Sequence, residues 1–244
     1  LSSAASDVYK RQTGVILGIF LFCHMAFTSS VQISKDLFAN LINTSGGMFM
    51  FAEEQAWLHV VFVGFITLCV VIHAFCALRR FPTSYHQLRD IKAHYKMLRH
   101  EDTTLWMVQL VTAFLLFIFV FPHLISMLCN PHGFDVNLIG VHTHHMGMIY
   151  TFVFLVITEL HGMIGLYRLA VKWDIFAKNP ETDIIDQRNG DRAGLRKTFL
   201  FIALLMIVCG TLTAWKNYSI GAELIENGQE ATRYVLADEN NWWK

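Results

Sequence analysis

The chain has 244 residues, with 19 Lys and Arg balanced by 19 Asp and Glu, 54% hydrophobic residues and only 16% charged ones. Soluble domains are roughly a quarter charged, so a soluble globule of this chain would lack the charges to cover its surface. Disorder needs low hydrophobicity and a nucleic-acid binder needs a basic excess, so both are excluded.

The first twelve residues, LSSAASDVYKRQ, are not a signal peptide: Lys10 and Arg11 close the segment and no cleavage site follows the apolar run. They resemble translated adapter sequence, and residues 1–12 are expected to be a non-native leader. Residues 13–215 then form the membrane domain and residues 216–244 an acidic tail. Five apolar blocks follow, near Gly14–Ser30, Ala56–Leu78, Leu105–Cys129, Gly147–Leu169 and Thr198–Trp215. Each is long enough to cross a hydrocarbon core, which takes roughly 17–25 helical residues. Asp102 and Thr103 are expected N-caps of the third. None alternates apolar with polar as a barrel strand does. Backbone groups in lipid must be satisfied within the segment, so the blocks are helices. The expected fold is all-α, an integral membrane bundle of five transmembrane helices.

Loop charge orients the bundle. The loop after the second span holds Arg79, Arg80, Arg89, Lys92, Lys96 and Arg99; the loop after the fourth, counted from Arg168, holds seven Lys and Arg. The loop after the first holds only Lys35, and that after the third holds none. This alternation predicts a cytoplasmic N-terminus and an outside C-terminus.

Each of the first four spans carries one deep histidine: His24, His73, His123 and His161. At ~1.5 Å per residue, His24 and His123 each lie ~9 Å from the outer end of their spans. On the same rise, His73 lies ~8 Å and His161 ~12 Å from the inner ends. The four sort into two depth-matched pairs, which predicts two bis-histidine b haems. Imidazole is a natural axial haem ligand, and facing helices of a bundle can hold a metal between them. The alternative is that each histidine is a hydrogen-bonded packing residue. One histidine per consecutive span, paired in depth, argues against that for the set. His59 is expected to be interfacial. His142, His144 and His145 are expected in a solvated outside loop, with a metal or quinone-proximal role as the alternative. His86, His94, His100 and His132 are expected in loops. The five Cys, none in a CxxC pair, are expected to be core hydrophobes.

Glu159 is the only acidic residue deep in a span, and an intramembrane carboxyl is a functional candidate by default. It stands two residues from His161 and so faces away from it. Pro122, directly before His123, is expected to kink the third span.

The stretches GIFLFCHMAF, VVIHAFCALRRFP, MLRHEDTTLW and ELHGMIGLYRLAVKW resemble the dihaem cytochrome b anchor of the fumarate reductases of ε-proteobacteria, from residue 13 to about 215. The resemblance implies two haem b groups, one distal on His24 and His123 and one proximal on His73 and His161. It implies propionate contacts from Trp106 and Lys172, and Glu159 as the carrier of protons that accompany electron flow. It also implies oxidation of menaquinol near the outer face and partners on the cytoplasmic side, an iron–sulfur subunit and a flavoprotein subunit that reduces fumarate. The location implied is the bacterial inner membrane, without nucleic acid; dimerisation of the whole complex stays open. The chain carries no flavin or iron–sulfur motif, so it cannot reduce fumarate alone. The sequence departs from the family at two places. The family's propionate-binding Gln-Ser pair falls on Lys10, Arg11 and Gln12 within the leader. Its quinol-site Glu falls on Gly46, with Asp36, Glu53 and Glu54 the nearest acids. Two other readings stay open: a haem subunit of a membrane hydrogenase or formate dehydrogenase, and a haem-free proton-relay anchor.

Overall fold

A computed structural model describes residues 3–48, 50–51, 55–79, 84–98, 101–173 and 185–236. Its described residues are helical, with no strand among them. In chain order the helices are α1 (Ser3–Ser29), α2 (Lys35–Ser45), α3 (Ala56–Leu78), α4 (Tyr85–Leu98), α5 (Glu101–Cys129), α6 (Val136–Met146), α7 (Met148–Lys172) and α8 (Ile185–Glu226), with one 3-10 turn at Ser30–Gln32. Five helical stretches are long and apolar enough to span a membrane: Ala5–Gln32, Ala56–Leu78, Glu101–Cys129, Met148–Lys172 and Arg192–Glu226. They carry exposed Phe62, Phe65, Phe114, Ile118, Phe201, Leu204 and Leu212. So many exposed large apolar residues suit lipid, not water.

The expected spans thus appear as helices, several longer than their apolar blocks. α8 runs to Glu226, well past Trp215. α5 begins at Glu101, so Asp102 and Thr103 sit in its first turn and are not N-caps. Acidic residues there still favour the helix, because the N-terminal turn carries partial positive charge. Three shorter helices occupy the connections. α2 is capped by Ser34, whose hydroxyl accepts from Leu37 N at 2.9 Å. α6 is capped by Asp135, whose carboxylate accepts from the backbone of Asn137 and Leu138. Gly147, at φ 81°, separates α6 from α7; only glycine takes that conformation freely.

The chain divides into two compact units, each drawing a segment from all five long helices. The first comprises Leu1–Ile19, Leu68–Phe117 and Ile157–Leu205. Within it, α1 lies so close to α7 that a Cβ on Gly18 would meet Leu166 at 2.7 Å. Met163, Ile164 and Tyr167 of α7 are buried. Tyr167 donates to Asp102 at 2.8 Å, and Arg196 of α8 pairs with Glu101 and Asp102.

The second unit comprises Phe20–Thr67, Ile118–Val156 and Met206–Lys244. Its core joins Val31, Phe38, Ala39, Ile42, Val136 and Ile220, with Phe27, Phe134, Tyr234 and Leu236 packed against it. α6 crosses α8 backbone to backbone: a side chain on Gly221 would run into the Gly140 carbonyl. The segment after α8 is bound back onto this core. Asn137 donates to the Thr232 carbonyl at 3.1 Å, Tyr234 N donates to Asp135 at 3.0 Å, and Tyr234 OH donates to Asp36 at 2.9 Å.

Candidate functional site

His24 on α1 and His123 on α5 both belong to the second unit; His73 on α3 and His161 on α7 both belong to the first. Each expected pair therefore falls inside one compact unit, and no unit mixes them. All four rings are half-buried.

In the second unit the His24 and His123 ring centres stand 6.5 Å apart, with planes at 70°. Two imidazoles on opposite sides of one metal ion, with metal–nitrogen distances of about 2.0–2.1 Å, place their centres roughly 6.3 Å apart. The observed spacing is also that of an edge-to-face ring contact. Phe20 stacks on His24 at 5.3 Å, and Phe154 packs on His123 at 5.5 Å. Aromatic walls of this kind keep water from the rings. Pro122 lies inside α5 one residue before His123, where its missing N–H removes a helical bond.

In the first unit the rings are held by oxygen atoms. The Thr13 hydroxyl lies 3.2 Å from His73 Nδ1. His161 Nδ1 lies 3.2 Å from the Gln109 carbonyl oxygen and 3.4 Å from the Thr112 hydroxyl. A carbonyl only accepts, so His161 Nδ1 carries the proton and Nε2 carries the lone pair. That is the tautomer a metal ligand needs. Gly14 lets α1 approach α3: a Cβ there would stand 3.3 Å from His73 Cε1. His24 and His123 thus meet ring to ring, and His161 keeps the Nε2 lone pair that a ligand would use.

Glu159 of α7 is 0% exposed, and neither of its carboxyl oxygens has a hydrogen-bond partner among the described residues. Two residues from His161 on a helix, it points to the opposite side. Among the described residues it is a buried acid without a hydrogen bond to explain it. Trp106 and Lys172 lie in the first unit with His73 and His161. Trp106 is half-buried on α5, and Lys172 is the exposed last residue of α7. Arg168, one turn before Lys172, donates to Gln109 Oε1 at 2.7 Å. The helix that orients His161 is thereby tied to α7 a second time. The sequence reading did not single out this contact, nor the hydroxyls of Thr13 and Thr112.

Other expectations need correction. His142, His144 and His145 are not in a loop: they lie on α6, whose Asp135 cap and close approach to α8 order that segment. His144 packs on Tyr218 at 4.6 Å, and among the described residues no group of three or more His, Cys, Asp or Glu could hold a metal. His86 and His94 lie on α4, not in a loop. His59, expected at the interface, lies in the first turn of α3 and is buried, stacked on Phe134 at 4.3 Å and 3.2 Å from the Ser45 hydroxyl. The second-unit core covers it, which the apolar edge of its own span could not reveal. Gly46 ends α2, and Asp36 is engaged by Tyr234. Glu53, Glu54 and His100 lie outside the described residues.

A profile of the succinate dehydrogenase/fumarate reductase transmembrane subunits matches residues 86–213. The chain belongs to this family. It is 34% identical to the fumarate reductase cytochrome b subunit of Helicobacter pylori over 99% of its own length and 91% of that protein's. It is 32% identical to the subunit of the same name from Wolinella succinogenes, over 86% of the chain and 80% of that protein. A succinate dehydrogenase/fumarate reductase transmembrane subunit is the membrane anchor of an oxidoreductase complex. The five apolar helices accord with that role, in a multi-pass protein of the bacterial inner membrane.

Proposed function

We propose that this chain is the dihaem cytochrome b anchor of a quinol:fumarate reductase. The observation that carries the reading is the partition of four intramembrane histidines into two pairs, each within one compact unit. The spacing of 6.5 Å between the His24 and His123 rings supports the first pair as ligands of one iron. The Nδ1 bonds of His73 and His161 support the second. Two b haems so held supply a one-electron relay between menaquinol on the outer side and an iron–sulfur subunit on the cytoplasmic side, from which a flavoprotein subunit reduces fumarate. The orientation rests on the Lys and Arg of the second and fourth loops.

The remaining residues serve that relay. Trp106 and Lys172 would hold propionate carboxylates at the first-unit site; Lys172 also ends α7, where a cation opposes the negative end of the helix dipole. Glu159 holds a proton within the membrane. Inward electron flow against a negative-inside potential costs ~2.3 kcal/mol per charge per 100 mV, and a proton moving with it on Glu159 offsets that charge. The phenyl rings of Phe20 and Phe154 exclude water at His24 and His123.

The test is a reduced-minus-oxidised spectrum of the complex purified with its neighbour subunits, together with haem extraction. Two low-spin b-type signals per chain are expected. One haem per chain would break the pairing, and none would return the histidines to packing or proton relay.

A further inference from the structure

We propose that Thr13 and Thr112 are positioning residues: their hydroxyls fix the ligand tautomer of His73 and His161 and raise the electron density at the iron of that pair alone. The proposal rests on the dihaem reading above.

The argument starts from where the hydroxyl protons go. Thr13 Oγ1 donates to the Tyr9 carbonyl one turn back in α1, at 2.7 Å. Thr112 Oγ1 does the same to the Val108 carbonyl in α5, at 2.8 Å. A hydroxyl has one proton and two lone pairs. With the proton committed along its own helix, each oxygen faces its histidine as an acceptor. His73 therefore donates from Nδ1 to Thr13, and His161 donates from Nδ1 to Thr112 and to the Gln109 carbonyl. Both Nε2 atoms are left with their lone pairs for a metal. Thr13 Oγ1 also lies 3.3 Å from the Lys10 carbonyl, so its proton is held by main-chain oxygens and not by the side chains of residues 1–12.

The second unit has no counterpart. Among the described residues, no ring nitrogen of His24 or His123 makes a hydrogen bond; their ring contacts are with Phe20, Phe154 and each other. A bond accepted from a ligand's outer N–H makes that imidazole more basic. A more basic ligand favours the oxidised ion, so it lowers the midpoint potential. The two sites thus differ in kind. One is tuned through hydroxyl oxygens on neighbouring helices, and the other is set by aromatic packing.

The test uses the whole purified complex. The midpoints of its two haems are measured potentiometrically, and that of the first-unit pair is identified as the one His73→Ala removes. Thr13→Val is nearly isosteric but accepts no hydrogen bond. It is expected to raise that midpoint, changing the reduced-to-oxidised ratio at fixed potential about tenfold, or about 59 mV for a one-electron couple. The other midpoint stays in place. Thr13→Ser restores the wild-type value. Thr112→Val moves the same midpoint in the same direction. The low-spin electron paramagnetic resonance signal of the same haem should shift with Thr13→Val, because the His73 ring is freed to turn. Should Thr13→Val instead lose that haem alone and Thr13→Ser keep it, the tautomer lock is supported still more directly. Unmoved midpoints with both haems present, equal shifts in both, or loss of both haems from Thr13→Val would overturn the proposal. A wild-type complex with fewer than two haems would instead bring down the dihaem reading, and this proposal with it.

Discussion

Glu159 is fully buried, and neither carboxyl oxygen meets a donor among the described residues. A carboxylate in such a place would lose its hydration without compensation. Its apparent cost to the fold is what makes it informative, since an unsatisfied buried acid calls for a functional explanation. We expect Glu159→Gln to keep both haems and the assembly of the complex but to stall quinol-driven fumarate reduction at least tenfold. Turnover with an artificial electron donor to the flavoprotein should be unaffected. Wild-type quinol activity in the variant would remove Glu159 from the proton path. At this scale the sequence was legible for residues whose type is costly in lipid, the four histidines and this acid. Thr13 and Thr112 were not legible. A threonine that bonds one turn back in its own helix is ordinary, and only the position of the histidine on another helix gives its free lone pair a task.

At the scale of elements, the long helices were legible because lipid imposes both their length and their apolarity. The connections were not. α2, α4 and α6 are short helices whose ends are set by single residues, Ser34, Asp135 and Gly147 among them, and caps are weak signals without a known neighbour. The strap after α8 was equally hidden, because its partners Asp36, Asp135 and Asn137 lie about a hundred to two hundred positions away in sequence. That strap has a pH signature. Burial, then the Tyr234 hydrogen bond to Asp36, push the Tyr234 phenol from 10.0 up to about 12. The folded state therefore holds the phenolic proton over a range where the unfolded chain has released it. Stability from this bond is fully present below pH 10 and is lost as pH rises through about 12. Removing one such hydrogen bond costs about 1 kcal/mol. Tyr234→Phe should lower the thermal midpoint of the detergent-solubilised complex by a few degrees at pH 8. The gap from wild type should narrow as the pH is raised above 10. A gap that is constant with pH would mean that the ring, not its hydroxyl, holds the strap.

At the scale of the whole molecule, each histidine pair is built inside a unit with its own internal contacts. His73 and His161 rest on Thr13, Gly14, Gln109 and Thr112, all in the first unit. His24 and His123 rest on Phe20, Phe154 and each other, all in the second. The expected pairing rests on depth along the spans, and the same two pairs fall within the two units. The compactness of each unit could not be read from the sequence, because it depends on glycine contacts such as Gly18 against Leu166 and Gly210 against Leu155 and Met25. Their use appears only when helices far apart in sequence meet. Because the contacts that hold each pair lie within its own unit, the two haems should be lost independently. His24→Ala should abolish one b-type signal and leave the midpoint of the other within error, and His73→Ala should do the reverse. An energetic link between the sites would show as loss of both signals from either variant, which would mean that the second unit folds around its haem only when the first is filled. Independent loss would mean that each half of the five long helices is a self-sufficient ligand cage. Electrons would then be the only thing the two sites exchange.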